Sequence, residues 1–116
     1  MTKIKIYHNP RCSKSRIGVK VLEEAKIDFE IVKYLNDVPT EKELKEILKK
    51  LDMSPLELIR KGEKIWKENY KGKELSDAEI IKAMVENPKL IERPIVIKDD
   101  KAVIGRPSEN ISNLIS

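Results

Sequence analysis

The chain has 116 residues, enough for one hydrophobic core and too few for two. Sixteen isoleucines, ten leucines and seven valines set it apart from disordered chains, and the net charge of +4 is only mildly basic. One cysteine excludes an internal disulfide and a cysteine-only metal site, one histidine leaves no His-rich metal site, and no apolar run approaches the roughly 18 residues of a membrane span. The expectation is a small, soluble, cytoplasmic domain without a structural metal and without a nucleic-acid or membrane partner.

The elements read as follows in chain order. Residues 3–7 alternate lysine with Ile4 and Ile6 and predict a strand, not the apolar centre of a signal peptide. His8-Asn9-Pro10-Arg11-Cys12 is a loop by its turn residues. From Ser13 to about Ala25, Ile17, Val21, Leu22 and Ala25 recur at helical spacing. Residues 28–34 alternate again, with Phe29 and Ile31 against Glu30 and Lys33. A strand, a helix and a strand in so short a span form a βαβ unit with a parallel pair.

The middle of the chain is helical, and lysine and glutamate mix along 41–50 as on a solvated helix face. Three capping boxes mark helix starts: Thr40 with Glu43, Ser54 with Glu57, and Ser76 with Glu79. Pro55 occupies a first helical position, where a missing N–H costs nothing. The predicted helices span 40–52, 55–61, 63–70 and 77–86, and Asn87-Pro88 ends the last of them. Ile95 to Ile97 and Ala102 to Ile104 are short β-rich runs joined at Asp99-Asp100, a hairpin. Gly105 breaks the second run. Residues 107–115 predict a final helix whose apolar face is Ile111, Leu114 and Ile115.

Cys12 stands between a strand and a helix N-terminus. Unsatisfied N–H groups and the helix dipole stabilise a thiolate there, so its pKa is expected to fall. The competing reading, an inert buried thiol, fits poorly with a loop of polar neighbours. Ser13 and Ser15 are candidate hydrogen-bond donors to a thiolate or oxyanion, and Ser13 is equally a candidate helix cap. His8 could hold a thiolate by its charge, pass a proton, or simply bond to backbone. Only five of the 24 basic residues are arginine. Arg11 and Arg16 flank Cys12, and Arg93 and Arg106 precede prolines. Arginine is the residue for bidentate oxyanion binding, though spacing alone does not bring these side chains together. Arg60, near a predicted helix end, also fits a dipole contact with a solvated head. Arg93-Pro94, entering a strand, is a candidate cis bond.

The motifs Ile6-Tyr7-His8-Asn9-Pro10-Arg11-Cys12-Ser13-Lys14-Ser15-Arg16, Arg60-Lys61, Glu86-Asn87-Pro88, Glu92-Arg93-Pro94-Ile95-Val96 and Gly105-Arg106-Pro107-Ser108-Glu109 run in order over nearly all of the chain. On them the sequence resembles the glutaredoxin-linked arsenate reductase (ArsC) family, in a short Arg-Cys-Ser-Lys-Ser branch related to Spx-type regulators. The resemblance implies an α/β, thioredoxin-like fold: an N-terminal βαβ and a C-terminal ββα around a four-stranded mixed sheet, in a single domain over 1–116 with a helical insertion at about 40–88. It implies Cys12 as nucleophile, tuned by His8 and by a hydrogen bond from Ser15. It implies Arg60, Arg93 and Arg106 as oxyanion ligands and Pro94 as the cis-proline of the fold. No bound cofactor is implied. The resemblance implies glutathione as co-substrate, glutaredoxin as protein partner, arsenate or a similar oxyanion as substrate, and a monomer. The lack of a second cysteine agrees with an external thiol. Two other activities remain open: a monothiol transferase acting on glutathione mixed disulfides through Cys12-Ser13-Lys14-Ser15, and an Spx-like regulator that binds RNA polymerase.

Overall fold

The computed structural model describes residues 4–115. The chain divides into two compact units: Met1–Asp37 with Arg93–Ser116, and Val38–Glu92.

The first unit carries the sheet. Its strands are β1 (Ile4–Tyr7), β2 (Glu30–Val32), β3 (Ile95–Lys98) and β4 (Lys101–Ile104), in the order β2-β1-β3-β4. Lys3, included in the predicted first strand, lies outside the described residues. β1 runs parallel to β2 with Ile6 opposite Ile31, and antiparallel to β3 with Ile6 opposite Val96. β3 and β4 form the expected hairpin, and Asp99 takes φ +55° in its turn, a left-handed conformation that aspartate tolerates. The βαβ crossover through α1 (Ser13–Glu24) and the ββα ending in α6 (Glu109–Ile115) make this the expected α/β class with a thioredoxin-like mixed sheet.

α1 and α6 bring Leu22 and Ile111 onto Ile4, Ile6 and Val96, and all five are buried. The apolar stripe expected on α1 is corrected here. Ile17 is 43% exposed and Ala25 is exposed, while the helix buries Ser15, Gly18 and Leu22. These three also follow helical spacing, but two of them are too small to register as an apolar face. Gly18 shows why small size is needed: a Cβ there would stand 2.9 Å from Pro94 Cγ and 3.1 Å from Ile111 Cδ1. β2 is shorter than the predicted 28–34, and Ile31 is 44% exposed. β2 is an edge strand, so half of the pairing that would lengthen it is missing.

The second unit is helical: α2 (Glu41–Leu51), α3 (Pro55–Leu58), α4 (Lys64–Asn69) and α5 (Asp77–Glu86), then a 3₁₀ turn at Pro88–Leu90. Thr40 and Ser76 each accept the N–H of the glutamate three residues on, and each glutamate accepts the cap residue's N–H. At Ser54 the exchange is skewed: its N–H and its hydroxyl both donate to Glu57, at 3.0 and 2.9 Å. α2 buries Leu44, Ile47 and Leu48, and it places Glu41 and Glu43 in its first turn and Lys49 and Lys50 in its last, in accord with its dipole. α3 stops at Leu58 instead of reaching residue 61. Ile59 pairs with Ile91 in an isolated antiparallel bridge, and the Arg60 N–H donates to the Leu90 carbonyl at 2.7 Å, so tertiary partners take groups a helix would have used. No helix among the described residues is long and apolar enough to cross a membrane.

Candidate functional site

The site of the first unit is built on the loop between β1 and α1. The His8 N–H donates to the Val32 carbonyl at 2.9 Å, carrying the parallel ladder one step past Tyr7. Asn9, buried at 7% exposure, then closes the loop. Its carbonyl accepts the Cys12 N–H at 3.0 Å, and its side-chain oxygen accepts the Arg11 N–H, also at 3.0 Å. The second bond is an Asx turn, which asparagine forms readily. The Arg16 guanidinium donates to the Pro10 carbonyl at 3.0 Å and pins the loop from the helix side.

This loop delivers Cys12 to the N-cap of α1, with φ −94° and ψ 121°. Ser13, a candidate cap from sequence, is the first helical residue instead. The position decides the thiol's chemistry. The sulfur makes no capping hydrogen bond, but it stands in the field of the unsatisfied backbone N–H groups of the first turn. Partial burial pushes the Cys12 thiol up. The Ser15 N–H, the Arg93 guanidinium and the Lys14 N–H outweigh it, and the net pKa lies below the ordinary thiol value. Arg106 adds a direct contact, with Nη2 at 3.4 Å from Sγ and Nε donating to the Arg93 carbonyl at 2.7 Å. The Arg93–Pro94 and Arg106–Pro107 peptide bonds are both cis, the second unanticipated from sequence.

Ser15 acts differently from the expectation. Its hydroxyl is committed to His8 Nδ1 at 2.6 Å and to the Asn9 N–H at 2.9 Å, so its link to the sulfur runs through its backbone N–H. Ser15 is fully buried, and its two partners explain how a hydroxyl can sit there at low cost. His8 is buried at 8% exposure. Burial, with the charges of Lys33 and Arg16, lowers its pKa below 6.5 despite the opposing hydrogen bond with Ser15. The lowered pKa favours the neutral imidazole, which suits its hydrogen bond with Ser15. Through Ser15 it orients the first turn of α1.

The structure thus brings together Cys12, Ser15, His8, Arg93 and Arg106. Sequence reading passed over Asn9, although Asn-Pro is itself a turn signal. Arg60 belongs to the second unit. Its Nη1 lies 3.3 Å from Glu63 Oε1 and its Nε 3.6 Å from Glu92 Oε1. At 24% side-chain exposure it is not the solvated head of the bland reading. Arg11 is exposed. Among the described residues, no group of three His, Cys, Asp or Glu side chains is placed to hold a metal ion.

The chain is similar to known proteins over nearly its whole length. The model of the ArsC family matches residues 7–114. The uncharacterized protein YfgD of Escherichia coli (strain K12) is 48% identical over 118 residues, covering 99% of each chain. An arsenate reductase of Neisseria meningitidis is 42% identical over 117 residues, covering 99% of this chain and 100% of that one. The solved structure of an arsenate reductase from Vibrio cholerae matches with a TM-score of 0.91 and 40% identity, over 97% of both chains. A family model that matches nearly the whole chain, together with relatives this similar over their full length, shows that the chain belongs to the ArsC family.

Proposed function

We propose that this protein reduces arsenate to arsenite, with Cys12 as nucleophile, glutathione as co-substrate and glutaredoxin as the partner that completes the cycle. The observation that carries the reading is the environment of Cys12: a lowered thiol pKa at a helix N-cap, with Arg106 Nη2 at 3.4 Å from sulfur. Named arsenate reductases related over nearly the whole chain support it.

The thiolate attacks arsenic(V), and one oxygen leaves as water. Glutathione then bonds to arsenic with loss of a second water, a glutaredoxin thiol attacks the glutathione sulfur to form a disulfide while the As–S electron pair passes to arsenic, and water cleaves the Cys12–arsenic(III) bond to release arsenite. The single cysteine of the chain supports an external thiol for the second half of the cycle. Arg93 and Arg106 serve as oxyanion ligands and as stabilisers of the thiolate, because a guanidinium fork matches the spacing of two oxygens of a tetrahedral anion. Arg60 is the third oxyanion ligand by its place in the family motif. His8 and Ser15 position the sulfur.

A coupled assay of NADPH oxidation, with glutathione, glutathione reductase, glutaredoxin and arsenate, tests this reading. Turnover that requires both arsenate and Cys12 is the expected result. Full turnover by Cys12→Ser, or none by the folded wild type, overturns it.

A further inference from the structure

Arg60 is bracketed by two carboxylates, and simple attraction of an anion does not explain them. Each carboxylate beside a guanidinium cancels part of the field that an incoming anion needs. The trio is not a closed salt bridge either. At 3.3 and 3.6 Å, both separations exceed the roughly 2.7–2.9 Å of a charge-assisted hydrogen bond. Glu63 approaches Nη1 and Glu92 approaches Nε, and Nη1 is buried without a hydrogen bond among the described residues. The backbone holds the trio in place. The Glu63 N–H donates to the Arg60 carbonyl at 3.1 Å, and the Glu92 N–H donates to the Leu58 carbonyl at 2.9 Å. Arg60, Lys61, Glu57, Glu63 and Glu92 line one cavity of about 440 Å³. A donor fork between two acceptors suits a ligand that can both accept and donate.

We infer that Glu63 and Glu92 set the class of anion taken at Arg60: an oxyanion that still carries a hydroxyl, such as phosphate or arsenate, and not a fully ionised one such as sulfate. The inference rests on the reading of Arg60 as an oxyanion ligand. A hydroxyl-bearing anion offers oxygens to the guanidinium and an O–H to a carboxylate. Sulfate at neutral pH has no proton to offer, so its oxygens face carboxylate oxygens in repulsion with no hydrogen bond in return. The same requirement suits the proposed chemistry, in which a protonated oxygen departs as water.

The test is isothermal titration of the full chain at neutral pH with inorganic phosphate and, separately, sodium sulfate. The variants are Glu63→Gln, Glu92→Gln, the double variant and Arg60→Gln, with unfolding midpoints confirming that each is folded. Phosphate is expected to bind wild type about tenfold or more tightly than sulfate, the scale of one hydrogen bond to a charged group. The double variant is expected to bring the two affinities together by gaining sulfate. The amide is nearly isosteric and can donate to a sulfate oxygen. Equal affinities in wild type, a preference unchanged in the double variant, phosphate affinity unchanged in Arg60→Gln, or no binding of either anion each overturns the inference. None of these titrations needs turnover. Loss of arsenate reduction with the phosphate preference intact would therefore sink the proposed reaction and leave the anion selection standing.

Discussion

The two units use arginine in opposite ways. In the first, Arg106 faces a sulfur atom and the carbonyl of Arg93, so its charge acts on a group that ionises to an anion. In the second, Arg60 faces two glutamates at 3.3 and 3.6 Å, so its charge is partly offset before any ligand arrives. The residue type is the same. What differs is the partner, and the partner decides whether a guanidinium activates a nucleophile or selects among anions.

The largest effect that would sharpen this contrast is on the sulfur itself. Cys12→Ser is expected to abolish arsenate reduction while leaving the unfolding midpoint within a few degrees of wild type, since the hydroxyl is a competent N-cap. Activity and thermal unfolding of one preparation check both halves. Next comes the cation. Arg106→Ala is expected to raise the Cys12 pKa and lower kcat/KM by about tenfold or more, the scale of one charge-assisted bond. Alkylation rate against pH measures the first effect. An unchanged titration would show that the sulfur does not depend on Arg106 and would break the comparison between the units.

Packing beneath the site comes third. Gly18→Ala is expected to destabilise the protein by about 1–3 kcal/mol, because the added methyl meets Pro94 and Ile111 at 2.9 and 3.1 Å in an already filled core. Urea unfolding measures it.

The fourth effect is a pH dependence. His8 has a folded pKa lowered from 6.5, so the unfolded chain binds its proton more readily. Stability attributable to the neutral imidazole is full above 6.5 and declines as pH falls from there through the folded pKa. His8→Asn is expected to flatten that part of a stability–pH curve. A slope identical to wild type would mean that other groups carry it. The smallest effect lies in the second unit. Ser76→Ala removes a cap and is expected to cost about 1 kcal/mol in urea unfolding, with no change in the Cys12 titration.

Much of this was legible from local chemistry. Capping boxes, the Asp99-Asp100 hairpin and the βαβ order depend on residues within a few positions of one another, and they recur in the fold where the spacing placed them. A thiolate favoured at the start of α1 followed in the same way, because helix ends carry their own field. Burial was less legible. Ile17 and Ile31 are apolar but exposed, while Ser15 and Gly18 are buried. Composition records hydrophobicity. It does not record that a backbone must pass within contact distance of Pro94, or that a buried hydroxyl will find His8 and Asn9 as partners.

The division therefore follows sequence distance. Helix starts, turns, the strand–helix–strand order and the reactive position of Cys12 belong to the primary structure, because a few adjacent residues supply all the forces involved. The length of α3, the lowered pKa of His8, the meeting of Arg106 with Cys12 across 94 positions and the bracketing of Arg60 belong to the tertiary structure. Each depends on which distant group fills the space beside a charge or a backbone N–H, and folding alone settles that.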